Sequence, residues 1–190
     1  GRMTVRRRGA GVGADVTHDF SGSASLEGGR LEGGDGYWRV AADGAAPLPL
    51  AATRVVFTGD VGLGSANLPA HRAFVLGGRG TLLGDDFRSW GGRRAARVGV
   101  EWRVPVPFIS ISAGPYAHTP ASIILAPYAA AGWTARPIAG TPWQATPGTR
   151  VTLGLALEWL GLLRVEGGYG AESRKVHLAL DVVRDFWGLL

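Results

Sequence analysis

The sequence predicts an all-β fold, an antiparallel transmembrane β-barrel, and three observations carry the prediction. Apolar and polar residues alternate with period two over much of the chain. Glycine is abundant, at 31 of 190 residues, where about 7% is usual. No run of about 18 apolar residues is present, which argues against a transmembrane helix. Glycine is costly inside helices and recurs at bends, bulges and crowded strand contacts, so its excess points the same way.

Four stretches show the alternation most clearly. Val98, Val100, Trp102 and Val104 share one face, against Arg97, Gly99, Glu101 and Arg103. Val151, Leu153, Leu155, Leu157 and Trp159 alternate with Arg150, Thr152, Gly154, Ala156 and Glu158. Leu163, Val165 and Tyr169 oppose Arg164, Glu166 and Gly168, and Val176, Leu178, Leu180 and Val182 oppose His177, Ala179 and Asp181. A residue pattern of this kind is that of a strand with one apolar face.

Eight strands are predicted, at residues 4–17, 31–42, 52–65, 95–106, 121–135, 149–160, 162–171 and 175–187. Each is about as long as the roughly 9–11 residues a tilted membrane strand needs. The first is interrupted by Arg6-Arg7-Arg8, and the second rests mainly on Tyr37-Trp38-Arg39-Val40. Residues 66–94 form a long connection, and Leu160-Gly161 a tight one. Residues 43–50 and 107–120 read as proline-containing connections, with Pro47, Pro49, Pro107, Pro115 and Pro120. If the long connection is external, residues 21–30, 136–148 and 172–174 are external with it, because barrel loops are long outside and short inside.

Charge and composition narrow the function classes. The absence of cysteine excludes disulfides and thiolate metal sites, and suits an oxidising compartment. Net charge is +5, yet Lys175 is the only lysine, so arginine carries the positive charge. Arginine suits paired, planar contacts in a lumen or interface. No basic helix or nucleic-acid motif accompanies the charge, so no nucleic-acid partner is expected. The start, Gly1-Arg2-Met3-Thr4-Val5, carries neither an apolar signal core nor a cleavage site, so an exported protein would begin here as a mature chain or fragment.

Enzyme chemistry finds no constellation. His18, His71, His118 and His177 lack metal-ligand spacing, and Gly11-Val12-Gly13 and Gly62-Leu63-Gly64-Ser65 lack the helix a phosphate loop requires. Ser110 and Ser112 have no nucleophile-elbow frame. Asp85-Asp86 offers carboxylates to calcium, but calcium takes about six to eight oxygens, and a solvated turn is expected. The expectation is a protein without enzymatic activity, metal or cofactor.

Alternation alone does not say which face is wet. A soluble barrel or sandwich buries the apolar face, whereas a membrane barrel turns it to lipid. The membrane reading is favoured by mid-strand arginine and glutamate on the polar face. It is also favoured by aromatics near strand ends, at Trp102, Trp133, Trp159, Tyr169, Phe186 and Trp187, where interfacial girdles are expected. Val98, Val100, Trp102, Leu153, Leu155, Leu157, Leu178 and Leu180 are then expected outside. Arg97, Glu101, Arg103, Arg150, Glu158, Arg164 and Glu166 are expected to line the lumen.

The stretch Phe74-Val75-Leu76-Gly77-Gly78-Arg79-Gly80-Thr81-Leu82-Leu83-Gly84-Asp85, followed by Gly91-Gly92-Arg93 and Val100-Glu101-Trp102-Arg103-Val104-Pro105, resembles the bacterial surface antigen superfamily. These are the BamA-like barrels that assemble or translocate outer-membrane proteins. The end, Arg184-Asp185-Phe186-Trp187-Gly188-Leu189-Leu190, is similar to their aromatic-rich terminal strand. The resemblance implies a bacterial outer-membrane location and the last eight strands of a roughly sixteen-stranded barrel. It implies a lumen loop at Gly77, Gly78, Arg79, Gly80, Leu82, Leu83 and Gly84, and a lumen wall holding Arg97, Glu101, Arg103, Tyr128 and Gly132. The implied partners are outer-membrane lipid, client outer-membrane proteins or a second barrel half.

Two departures from the family pattern go together. The loop arginine that reaches the wall falls at Leu83, and a wall aspartate falls at Ala130 in Tyr128-Ala129-Ala130-Ala131-Gly132. Losing both avoids an unpaired buried charge, which would cost several kcal/mol. Arg79 is a candidate replacement that would contact the retained Glu101; the alternative places it in solvent. The losses also leave room for a structural or pore-forming small barrel, or for the membrane anchor of a larger protein. Eight strands enclose an interior already full of side chains, with no space for the 66–94 connection. Either the barrel closes with that connection outside, or the chain supplies part of a larger or dimeric barrel.

Overall fold

A computed structural model describes residues 2–10, 19–30, 35–110, 121–161 and 163–182. The predicted terminal-strand residues Phe186 and Trp187, the 11–17 part of the first predicted strand and most of the 107–120 connection lie outside them. The described chain is all-β. It comprises β1 (Arg2–Ala10), β2 (Asp19–Arg30), β3 (Gly36–Leu50), β4 (Thr53–Gly64), β5 (Phe74–Leu76), β6 (Trp90–Gly92), β7 (Arg94–Pro107), β8 (Ser122–Ala135), β9 (Arg150–Trp159), β10 (Leu163–Gly170) and β11 (Val176–Val182). One 3-10 turn spans Ala70–Arg72, and among the described residues no helix is long and apolar enough to cross a membrane.

Among the described residues nine strands, where eight were expected of the whole chain, form one antiparallel sheet in the order β1-β2-β3-β4-β7-β8-β9-β10-β11. The additional strand is β2, which occupies residues expected to be a loop. Its alternation is real but faint: Phe20, Gly22, Ala24 and Leu26 face one way, against Ser21, Ser23, Ser25 and Glu27. The second correction concerns 43–50, which belongs to β3 despite Pro47 and Pro49. The β2–β3 ladder ends at Ser21↔Ala45, while β3 continues against β4 to Leu50↔Thr53. Among the described residues the prolines therefore sit where β3 has a partner on one side only, the place a strand tolerates a missing N–H. Leu160 and Gly161 both take positive φ, as a tight hairpin connection needs.

Among the described residues no ladder joins β1 to β11, so the sheet is open. Register divides it into two faces. All the exposed large hydrophobic side chains except Phe87, Phe108, Ile109 and Leu160 lie on one face, from Phe20 on β2 to Val182 on β11. Leu155 is 49% exposed, Val98 62% and Leu178 79%. On the other face the residues are charged or small: Asp43, Asp60, Arg97, Glu101, Arg103, Ala130, Arg150, Gly154, Glu158, Arg164 and Glu166.

The buried core is on the polar side. Leu76, Leu82 and Ala130 form an apolar cluster with Trp90 packed against it, and Leu83, Thr152 and Ala156 are also buried. The 65–93 connection folds back over the sheet through the small β5–β6 hairpin and supplies Leu76, Leu82, Leu83 and Trp90 to this core. Small wall residues make the approach possible. A Cβ on Gly168 would lie 2.8 Å from that of Leu83, and one on Gly84 would lie 2.2 Å from the Gly170 nitrogen. Gly77 and Gly78 turn the chain at φ 109° and 81°, a region other residues adopt at a cost.

Candidate functional site

The site is the polar face together with the segment laid across it. Alternation aims every second side chain of β7, β9 and β10 at this face, and the arginines and carboxylates there pair both along and across the strands. Arg103 Nη1 donates to Glu101 Oε1 at 2.9 Å and Nη2 to Glu158 Oε2 at 2.6 Å. Arg164 makes a two-nitrogen contact with the Glu101 carboxylate at 2.7 and 3.2 Å, and its Nε donates to Glu166 at 3.2 Å. Arg97 Nε donates to Asp60 at 2.6 Å, and its Nη1 donates to the Gly80 carbonyl at 2.9 Å. These half-buried, fork-shaped contacts are the kind arginine makes better than lysine. Tyr128 stands among them and donates its hydroxyl to the Gly167 carbonyl at 3.3 Å.

The crossing segment is pinned from one side of the sheet to the other. Near its start, Arg72 Nε lies 3.0 Å from Glu27 of β2, a carboxylate that also accepts from Tyr37. In the middle, Arg150 of β9 grips Asp85 with two nitrogens, and both side chains are buried. The Arg150 guanidinium lies 5.0 Å from the Trp90 ring centre, and Gly84 N donates to Thr152 Oγ1 at 3.2 Å. Farther along the sheet, Arg79 reaches Asp181 of β11 at 3.0 Å and donates to the Leu180 carbonyl.

Two expectations are corrected here. Arg79 does not contact Glu101: that carboxylate is taken by Arg103 and Arg164, and Arg79 pairs with Asp181 instead. Asp85-Asp86 is not simply a solvated turn, because Asp85 is 4% exposed and paired with Arg150. Several of the other predicted residues lie close together. Leu82 is in the core, Leu83 and Ala130 line one cavity of about 540 Å³ with Arg97, Glu101, Arg103 and Tyr128, and Gly132 lies under Leu76. On the connecting segment the apolar Leu83 lies against Gly168, and nearby the acid is on the segment, at Asp85, with its arginine on the sheet, at Arg150.

Asp86 forms an exposed tether beside this pair. Lys175 Nζ donates to Asp86 Oδ2 at 2.6 Å, and His177 Nε2 lies 3.2 Å from Oδ1. The Lys175 hydrogen bond holds the Asp86 carboxyl below its ordinary value against the opposing effect of desolvation, and His177 adds to the lowering. With the folded-state pKa depressed, the tether is complete above the free carboxylate value of about 3.9 and is lost as pH falls through the lower folded one. A carboxyl-carbon NMR titration is expected to show Asp86 titrating below the free value, with Lys175→Gln moving it back upward. Titration at the free value in both proteins would remove the tether from the account.

Among the described residues no cluster of three or more potential ligands holds a metal site. No known family model matches the chain, and no curated protein matches it in sequence.

Proposed function

We propose that this chain is a wall of an outer-membrane β-barrel related to the BamA-like assembly and translocation barrels, and that it works by binding strands, without bond chemistry. The observation that carries the reading is the division of one sheet into two faces. The apolar face runs across eight strands and is exposed, whereas soluble monomers rarely expose apolar patches beyond a few hundred Å². The polar face is ion-paired and half-covered by its own connecting segment, as suits a lumen.

The open edges bear on what completes the barrel. An unpaired strand edge in hydrocarbon leaves backbone groups unsatisfied at several kcal/mol each. In this reading β1 and β11 pair with further barrel strands or with a second copy. Nine strands would then form just over half of a roughly sixteen-stranded barrel, wide enough to hold the 65–93 segment inside. A small barrel closed on itself is the second reading, and the segment across the polar face disfavours it for want of interior space.

The test is a folding assay with a defined client. A urea-unfolded outer-membrane barrel protein is diluted into vesicles that hold this chain and into empty vesicles. Faster insertion with the chain present is the expected result. Equal rates, with a closed monomeric barrel in detergent, would support the structural barrel instead.

A further inference from the structure

The two rims of the sheet differ in charge, and the difference follows the apolar face. The rim bearing the 65–93 segment also carries Arg30, Asp35 and the connections at 136–149 and 171–175. Arg30, Arg88, Arg94, Arg136 and Arg174 are exposed there, and none has an ion-pair partner among the described residues. Among the described residues the carboxylates there that are likewise outside ion pairs are Asp35 and Glu172, while Asp86 is taken by Lys175. Among the described residues the opposite rim, over 50–54, 107–110, 121–122 and 159–161 and the start of β2, has Arg54 and Asp19 as its charged residues.

Position along the strands is as telling as charge. Gly28 pairs with Trp38, and Ala96 pairs with Trp133, two exposed tryptophans of the apolar face. Arg30 and Arg94 lie on that same face, two residues farther toward the rim, about 6.6 Å beyond the tryptophan level. Arg136 follows Ala135, the register partner of Arg94, so two arginines flank one another on neighbouring strands. Within the β2–β3 and β7–β8 pairs the order outward is aliphatic, tryptophan, arginine, and on its β4 side Arg94 stands opposite Leu63. This order matches hydrocarbon, interface and headgroup phosphate, where long cationic side chains reach out of the apolar layer.

We infer that this rim is a docking collar for the phosphate groups of an anionic lipid leaflet, with Arg30, Arg94 and Arg136 as its principal contacts. The inference rests on the reading of the apolar face as lipid-facing and adds to it an orientation: the rim of the crossing segment lies in the more anionic leaflet. A lipid phosphate is preferred over a soluble anion because the cations continue a lipid-sized apolar surface and do not converge on a pocket.

The test uses the full chain refolded from urea into vesicles of phosphatidylcholine alone and into vesicles in which part is replaced by phosphatidylglycerol. Partitioning is expected to favour the anionic vesicles. The Arg30→Gln, Arg94→Gln, Arg136→Gln triple variant should lose roughly 100-fold at low salt, at about 1 kcal/mol per arginine. Arg54→Gln should retain the preference. Equal partitioning into both vesicles, or an unchanged triple variant, would overturn the collar while leaving the lipid-facing reading intact. Displacement by inorganic phosphate beyond the effect of matched chloride would reassign the arginines to a free-anion site. Failure to enter either vesicle would overturn the lipid-facing reading itself.

Discussion

Replacing Arg150 with alanine is expected to release the 77–89 turn from the sheet. Arg150 and Asp85 are both buried, and the pair sits between the Trp90 ring and the Thr152–Gly84 hydrogen bond. Removing one partner strands a buried charge, at a cost of about 3–5 kcal/mol. The amides of Gly78 and Asp85, which both donate to the Leu82 carbonyl, report on the loss. Their hydrogen exchange should accelerate by more than about 100-fold, because opening of the segment becomes less costly by that energy. The double substitution Asp85→Arg with Arg150→Asp should recover most of the protection, since the pair is restored with its polarity exchanged. Unchanged exchange in Arg150→Ala would mean that apolar packing of Leu76, Leu82 and Leu83 alone holds the segment.

Leu155→Arg is the second substitution with a large expected effect. Leu155 is half-exposed on the apolar face in the middle of β9, opposite Pro127 and Gly167. In lipid an arginine at the bilayer midplane of a barrel costs about 2–4 kcal/mol. In water the same surface change would stay within about 0.5 kcal/mol. The urea midpoint of the vesicle-embedded chain should therefore fall sharply for Leu155→Arg and much less for Leu155→Ala. An arginine variant as stable as the alanine one would place this face in water.

The sequence carried most of the sheet in readable form. The strands now numbered β7 to β11 were legible because valine, leucine and tryptophan alternate with charges, and a period of two has one structural meaning. The strand β2 was not, because its apolar face holds only two large residues, Phe20 and Leu26, with glycine and alanine between them. Pro47 and Pro49 read as breakers because a sequence does not reveal where a neighbouring strand ends. At the site, periodicity placed Arg97, Glu101, Arg103, Arg150 and Arg164 on one face, but could not assign partners 37 to 65 residues away. Asp85 was overlooked for the same reason. Two adjacent aspartates in a glycine-rich turn look solvated until Arg150 arrives from another strand.

Contact of the apolar face with lipid can be measured directly. Because the chain contains no cysteine, single cysteines can be placed along residues 151–158 of β9 and labelled with a nitroxide in vesicles. Relaxation by oxygen, which concentrates in the bilayer, should alternate with period two. It should be high at 151, 153, 155 and 157 and low at 152, 154, 156 and 158. No alternation, or strong relaxation of positions 153, 155 and 157 by a water-soluble nickel chelate, would contradict the membrane-barrel account.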